Sequence, residues 1–402
     1  MPWKETSPMQ ERLRFVQDVY RPGWSVAELC RRYGVSRKTG YQWLAEYEAT
    51  GPAGLADGSH RPHRCPHATP PAVVEQILRL QKRYTWGARK VRRLLARRVP
   101  ADLVPTIATV HRILERHGRV RRQRRARRRF HAGRPETPMD QPNAGWTADF
   151  KGQFRMGNGV YCYPLTVQDG ATRFLLGCQG LLGPTIEASG PVFVRLFRRY
   201  GLPERIRTDN GTPFASGALG RLSTLSVWWV RLGIRPELIE PAYPEQNGRH
   251  ERMHKTLKAE TARPPQLNLA TQQKRFDAFR HRYNQVRPHE ALDDDTPASR
   301  YSPSPRPYPS TLPKLEYPGH FEVRRVSKNG GIRWQSRWVN VSHLLAEEYV
   351  GFEEIDDGLW EVYFGPVWLG RFHEAVGHIV DQLGHPARRE GGNHKGKVLP
   401  IT

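Results

Sequence analysis

Along the first 118 residues, apolar positions recur every three or four places, the spacing of helices that bury one face. Between residues 12 and 48 the pattern breaks once. Ser25-Val26-Ala27-Glu28 has the Ser-x-x-Glu form of a capping box, Leu29 and Tyr33 continue that helix's inner face, and Gly34-Val35 makes a turn. Ser36 opens a further helix to about residue 48, with Trp43, Leu44 and Tyr47 turned inward. A second set of three helices follows at 71–84, 87–97 and 106–118. Their inner faces are Val74, Ile77, Leu78 and Tyr84, then Val91, Leu94 and Leu95, then Ile107, Val110, Ile113 and Leu114. Both sets predict helix-turn-helix units.

After residue 143 the pattern shifts. Strands are expected at 145–152, 161–167, 173–178, 205–207 and 235–239, with helices at 187–200, 219–232 and 249–260. The order β-β-β-α-β-α-β-α is that of a ribonuclease-H-like α/β core. Residues 318–372 return to strands at 321–326, 332–341, 348–354 and 359–372, broken by Asn329-Gly330-Gly331 and Asp356-Asp357-Gly358. These predict a small β-barrel whose interior holds Trp334, Trp338, Trp360 and Trp368. The expected fold class is therefore multidomain α/β: helix-turn-helix domains at 1–60 and 61–120, an Arg-rich linker at 121–142, the core with trailing helices at 143–305, the barrel at 315–375 and a basic tail at 376–402.

Charge narrows the partner. The formal net charge is +25 at pH 7, which calls for a polyanion. It sits forward: residues 1–140 hold 30 Lys+Arg and 12 Asp+Glu, net +18, which leaves +7 for the rest. Nine arginines crowd residues 119–134. That stretch repels itself until phosphates neutralise it, so Arg121, Arg122, Arg124, Arg125, Arg127 and Arg128 are candidate DNA contacts. Arg37, Lys38 and Gln42 lie near the start of the helix opened by Ser36, where a recognition helix meets the major groove. Neither a signal-peptide core nor an apolar run near ~18 residues is seen, so a cytoplasmic, DNA-associated protein with no membrane partner is expected. Cys30, Cys65, Cys162 and Cys178 are scattered, without zinc-ligand spacing.

Three carboxylates carry the chemistry. Asp149 ends the first core strand, Asp209 follows the fourth in Thr208-Asp209-Asn210-Gly211-Thr212-Pro213-Phe214, and Glu251 lies on the helix after Asn247-Gly248. Two strand-end aspartates with a helical glutamate suit a pair of divalent cations ~3.5–4 Å apart, an arrangement for in-line attack on a phosphodiester. Asp169, before Gly170, is read as a turn residue. Asn210 and Asn247 are read either as turn residues or as groups orienting backbone or DNA.

Trp146-x-x-Asp149-Phe150, Thr208-Asp209-Asn210-Gly211-Thr212-x-Phe214 and Pro244-x-Gln246-Asn247-Gly248-x-x-Glu251-Arg252 together resemble the integrase core of DDE transposases, the bacterial insertion-sequence enzymes whose core is similar to retroviral integrase. Tyr283-Asn284-Gln285-Val286-Arg287-Pro288-His289-Glu290-Ala291-Leu292 and Thr296-Pro297-Ala298 match the segment that follows, so the resemblance spans about 12–301. It implies Asp149, Asp209 and Glu251 as catalytic metal ligands for two Mg²⁺ or Mn²⁺ ions. It further implies double-stranded DNA as partner, both as element ends and as target, and a dimer or larger assembly on it. Glu251 is preferred to Glu245 by its place after Asn-Gly. Lys255 and Lys258 share its helix face, where they would hold a DNA end, with His254 a weaker candidate. Asp209 and Glu251 are separated by 41 residues, against about 35 in the retroviral pattern. A non-catalytic DNA-binding regulator and a nuclease that cuts without joining are the alternatives.

Overall fold

The structure, a computed structural model, describes residues 7–58, 68–120, 137–240, 246, 248–381 and 384–387. Two compact units divide at Pro70/Pro71.

The first unit holds α1 (Pro8–Val19), α2 (Val26–Arg32) and α3 (Arg37–Thr50), followed by a short 3₁₀ turn. Serines cap all three helices. Ser25 and Glu28 complete the expected reciprocal box, and Ser36 accepts from the Thr39 N–H at 3.1 Å. Phe15, Val16, Leu29, Cys30, Leu44 and Leu55 form the core. Gly40 is required by close approach, because a Cβ there would lie 2.5 Å from Cys30 Sγ.

The second unit begins with α4 (Pro71–Tyr84), α5 (Ala88–Leu95) and α6 (Ile107–Arg116). Their core is Val73, Ile77, Leu80, Trp86, Val91, Leu94, Leu95, Val110, Ile113 and Leu114. Ile107, expected inside, is exposed at the first turn of its helix. This helical set docks on the core through Arg89, which reaches Glu290 at 2.7 Å and Asp294 at 2.9 Å, and through Arg93, 3.1 Å from Asp295.

The core sheet comprises β1 (Trp146–Phe150), its short continuation β2 (Phe154–Arg155), β3 (Tyr161–Asp169) and β4 (Leu175–Leu181). After α7 (Ile186–Tyr200) comes β5 (Arg205–Thr208), and after α8 (Thr224–Arg231) comes β6 (Arg235–Leu238). The first three long strands are an antiparallel meander, while β5 and β6 join beside β1 in parallel. Parallel neighbours need a crossover, and α7 and α8 supply it. α8 starts five residues later than expected because Ser223 caps it and Gly220 turns the chain at φ +63°. Trp146, Phe193, Phe197, Ile206, Phe214 and Trp229 lie at the centre of the core between sheet and helices.

α9 (Gly248–Thr261), α10 (Leu269–His281) and the short α11 (Pro297–Arg300) complete this part. Asn284, between α10 and α11, acts as a false strand at the edge of β4: its amide accepts from Leu175 N–H at 2.8 Å and donates to Leu175 C=O at 2.9 Å.

The C-terminal strands are β7 (Glu322–Arg325), β8 (Gly331–Trp334), β9 (Arg337–Asn340), β10 (Tyr349–Asp356), β11 (Leu359–Phe364), β12 (Val367–His373) and β13 (His378–Val380). They do not close into the expected barrel. β13-β12-β11-β10-β7 form an open antiparallel sheet, and β8-β9 form a separate hairpin. The stretches 332–341 and 359–372 were expected as single strands, but positive-φ turns at Gln335 and Gly365 fold each into a hairpin arm pair. The resulting short strands cover a shared core with α8 instead of wrapping round. Trp334 is buried there, and both its indole N–H and that of Trp360 donate to Glu374. Trp338, expected inside, is exposed and donates to Asn340.

Candidate active site

In the parallel pair β1–β5, Ala148 lies opposite Thr208. The next residue on each strand is an aspartate, so Asp149 and Asp209 leave the sheet side by side, about 4.8 Å apart in backbone spacing. Asp149 is mostly buried. Burial first, and Asp209 second, push its carboxyl up to about 7, with Glu251 adding to the effect and Lys151 opposing it. Asp209 is also raised by burial, although it accepts the Gly211 N–H at 3.2 Å.

Glu251 arrives on the first turn of α9, and the histidine before it holds that turn in place. His250 is fully buried, with Nδ1 2.7 Å from Thr147 Oγ1 and Nε2 2.6 Å from Thr166 Oγ1. Thr166 Oγ1 in turn lies 2.6 Å from His254 Nε2, and His254 Nδ1 is 3.5 Å from Asp149 Oδ2. Thr147 Oγ1 also donates to the Gln168 carbonyl at 3.3 Å, and Thr166 Oγ1 to the Asp149 carbonyl at 3.1 Å, so hydroxyl and ring protons are shared among these partners. Burial keeps both rings neutral, His250 pushed down to about 3 and His254 lower still, with His250 as a further cause. Asp149, His250 and His254 bring ligand-type atoms within 4.8 Å of one another. Both nitrogens of His250 are engaged by threonines, so we read the trio as a hydrogen-bonded support for Asp149.

α9 thus carries three stripes. His250, Met253, His254 and Leu257 are buried, Glu251, Lys255 and Lys258 are exposed on one side, and Arg249, Arg252 and Thr256 lie on the other. Asn210 ties β5 to the end of β6 by donating to Ile239 C=O at 2.9 Å. Asp169 is buried in its own turn, accepting from Asn143 N–H and from Thr172 N–H and O–H. Arg37, Lys38 and Gln42 are exposed on α3, and Gln42 also donates to Glu46 at 2.9 Å. Arg121, Arg122, Arg124, Arg125, Arg127 and Arg128, together with Glu245 and Asn247, lie outside the described residues. Sequence reasoning missed Thr147, Thr166 and His250. The available signal was a pair of histidines four apart on a helix, in the same stripe as Met253 and Leu257.

Residues 11–63 match a helix-turn-helix domain, residues 39–114 a homeodomain-like domain, and residues 232–297 an integrase core domain. The insertion element IS476 uncharacterized 39.2 kDa protein of Xanthomonas euvesicatoria is 28% identical over 282 residues, 69% of this chain and 78% of that protein. By make-up, the chain has the helix-turn-helix N-terminus and integrase-like core of insertion-sequence transposases. The insertion element IS407 uncharacterized 31.7 kDa protein of Burkholderia multivorans is 28% identical over 189 residues, covering 46% of this chain and 65% of that protein. Among solved structures, a simian T-cell lymphotropic virus intasome in complex with PP2A regulatory subunit B56 gamma is similar at 15% identity and TM-score 0.37, covering 73% of this chain and 97% of that one. The HTLV-2 integrase catalytic core domain in complex with magnesium is similar at 16% identity and TM-score 0.32, covering 40% of this chain and 97% of that one. Among the described residues, no helix is long and apolar enough to cross a membrane.

Proposed function

We propose that this transposase binds the ends of its element, cleaves at the 3′ ends and joins them to target DNA. The observation that carries the reading is the adjacency of Asp149 and Asp209 at parallel strand ends, with Glu251 anchored alongside by buried His250. The donor set fits hard divalent cations: three carboxylates, two of them pushed up chiefly by burial. Asp149, Asp209 and Glu251 would hold two Mg²⁺ or Mn²⁺ ions, which when bound supply activation of the attacking oxygen and stabilisation of the leaving one.

The chain's own groups do the rest. The threonine–histidine chain fixes the Asp149 carboxylate, as outer hydrogen-bond partners of ligands do. Lys255 and Lys258 offer cations to a DNA strand beside Glu251. Arg37, Lys38 and Gln42 face the groove of end DNA, and Arg121, Arg122, Arg124, Arg125, Arg127 and Arg128 neutralise its phosphates. Water attacks first, leaving a 3′-hydroxyl, and that hydroxyl then displaces a strand of the target phosphodiester. Two ends must meet for this, which calls for a dimer or larger assembly in the bacterial cytoplasm.

The test is incubation with a labelled element end, supercoiled plasmid and Mn²⁺, beside Glu251→Gln. Joined products from the wild type alone support the reading. Cleavage without joining would make the protein a nuclease, and DNA binding with neither product would make it a regulator.

A further inference from the structure

On the other exposed stripe of α9, lined by the residues that flank Glu251 in sequence, lies a cavity of about 170 Å³ with basic walls. That is room for several waters, at ~30 Å³ each. Lys90 comes from α5, Arg173 from the turn before β4, Arg249 and Arg252 from α9, and Arg287 and His289 from the segment after α10. The cations are poorly neutralised. Arg287 shares Glu260 with Arg282, and the rim carboxylate Glu290 is held by Arg89. Arg249 donates to the Gly170 carbonyl, which carries no full charge. Lys90 is pushed down to about 8, first by burial and then by Arg287, with Glu260, Asp294 and Glu290 opposing the shift. His289 is only 9% exposed, yet its Nε2 has no hydrogen-bond partner among the described residues. A buried polar atom without a partner costs stability, and so does a cluster of like charges. The crowded cations call for an anion in the cavity, while His289 Nε2, an acceptor because the neutral ring donates to the Tyr283 backbone carbonyl, calls for a water beside it.

We propose that this cavity seats a backbone phosphate of the DNA handled by the neighbouring carboxylates. The inference rests on the reading that the chain acts on DNA. A phosphodiester meets the need because it is a compact anion with oxygens on several sides, matched to guanidinium donors converging from different elements. Position favours DNA over a free anion. The stripe Arg249–Arg252–Thr256 and the stripe Glu251–Lys255–Lys258 are neighbours around the exposed half of α9, so a strand crossing the helix meets both. Lys90 and His289 come from elements joined by the Arg89–Glu290 and Arg93–Asp295 ion pairs. An occupied cavity would thereby link the second helical set to the catalytic stripe.

The test uses the full chain with Lys90→Gln and, separately, Arg252→Gln, and with Lys274→Gln on α10 as a charge-matched control. Each cavity variant should lower the salt slope of binding to duplex end DNA by about 0.9, the loss of one phosphate contact, while the control leaves it unchanged. Inorganic phosphate at matched ionic strength should raise the wild-type melting temperature more than that of either variant. In phosphate-free buffer the variants should melt no lower than the wild type. Equal slopes in wild type and cavity variants would overturn the proposal, as would an equal loss in the control. Asp149→Asn separates the two readings: it should keep the wild-type slope while losing cleavage, so a failed cavity leaves the catalytic reading standing. A wild type that binds no DNA would remove both.

Discussion

The carboxylate site and the basic cavity lie on adjacent stripes of one helix, and they are opposite in sign and alike in crowding charges of one sign with few counter-charges. Asp149 and Asp209 press on each other in partial burial, while Lys90, Arg173 and Arg252 crowd the cavity on the neighbouring stripe. Two other partly buried arginines are paired. Arg207 meets Glu237 at 2.6 Å, and Arg231 meets Glu348 at 2.6 Å between α8 and the C-terminal strands. Paired charges hold elements together, whereas clusters of one sign have their counter-charges supplied from outside. Divalent cations and a DNA phosphate are the matching ligands.

The sharpest break would come at Asp149. Asp149→Asn is expected to reduce metal-dependent end cleavage by at least about a hundred-fold, since even outer partners of metal ligands cost 10–100-fold. A gel assay of cleaved ends checks this. Thr166→Val tests the support beneath it, because it cuts the chain between the two histidines. Cleavage should fall by about 10–100-fold, with DNA affinity kept and stability lowered by only about 1–3 kcal/mol. If cleavage were unaffected, the threonine–histidine chain would be packing alone.

Stability against pH, in chelator, sharpens the contrast. Asp149 titrates higher folded than unfolded, so its contribution is full below the unfolded value near 4 and fades as pH rises toward about 7. His250 and His254 work in the opposite direction, being lowered on folding: their stability is present above about 6.5 and lost as pH falls. His250, bonded to the two threonines, cancels in the difference between wild type and Asp149→Asn, whereas His254, 3.5 Å from the carboxyl, adds its own change to it. That difference should therefore turn against the wild type between pH 4 and 7, by a few kcal/mol, and Mn²⁺ should reverse it. Denaturant melts at each pH would show a flat difference if the carboxyl were unstrained.

A smaller effect is expected where polar groups are satisfied internally. Asn284→Ala removes two bonds to the edge of β4 and should cost about 2 kcal/mol in a urea melt, with no change in the salt slope of DNA binding.

Much of this was legible beforehand. Capping serines, apolar periodicity and turn glycines marked the helices of both N-terminal sets, because those signals act within a few residues. The strand–helix order of the core was equally local, and Asp149, Asp209 and Glu251 stood out through their flanking motifs. The barrel failed for a nonlocal reason: the pattern located apolar strands, but turns at Gln335 and Gly365 and packing against α8 decided how they closed. Trp338 looked like core by composition and lies outside for the same cause.

The sequence by itself determined the periodic elements, the excess positive charge and the three carboxylates, since each is written in neighbouring residues or in a sum over them. Only the tertiary structure decided what faces what. It set Asp149 beside Asp209 by pairing β1 with β5, buried His250 and His254 against Thr147 and Thr166, and converged Lys90, Arg173 and His289 on one cavity. Those residues are distant along the chain, and a contact between distant positions leaves no local period to read.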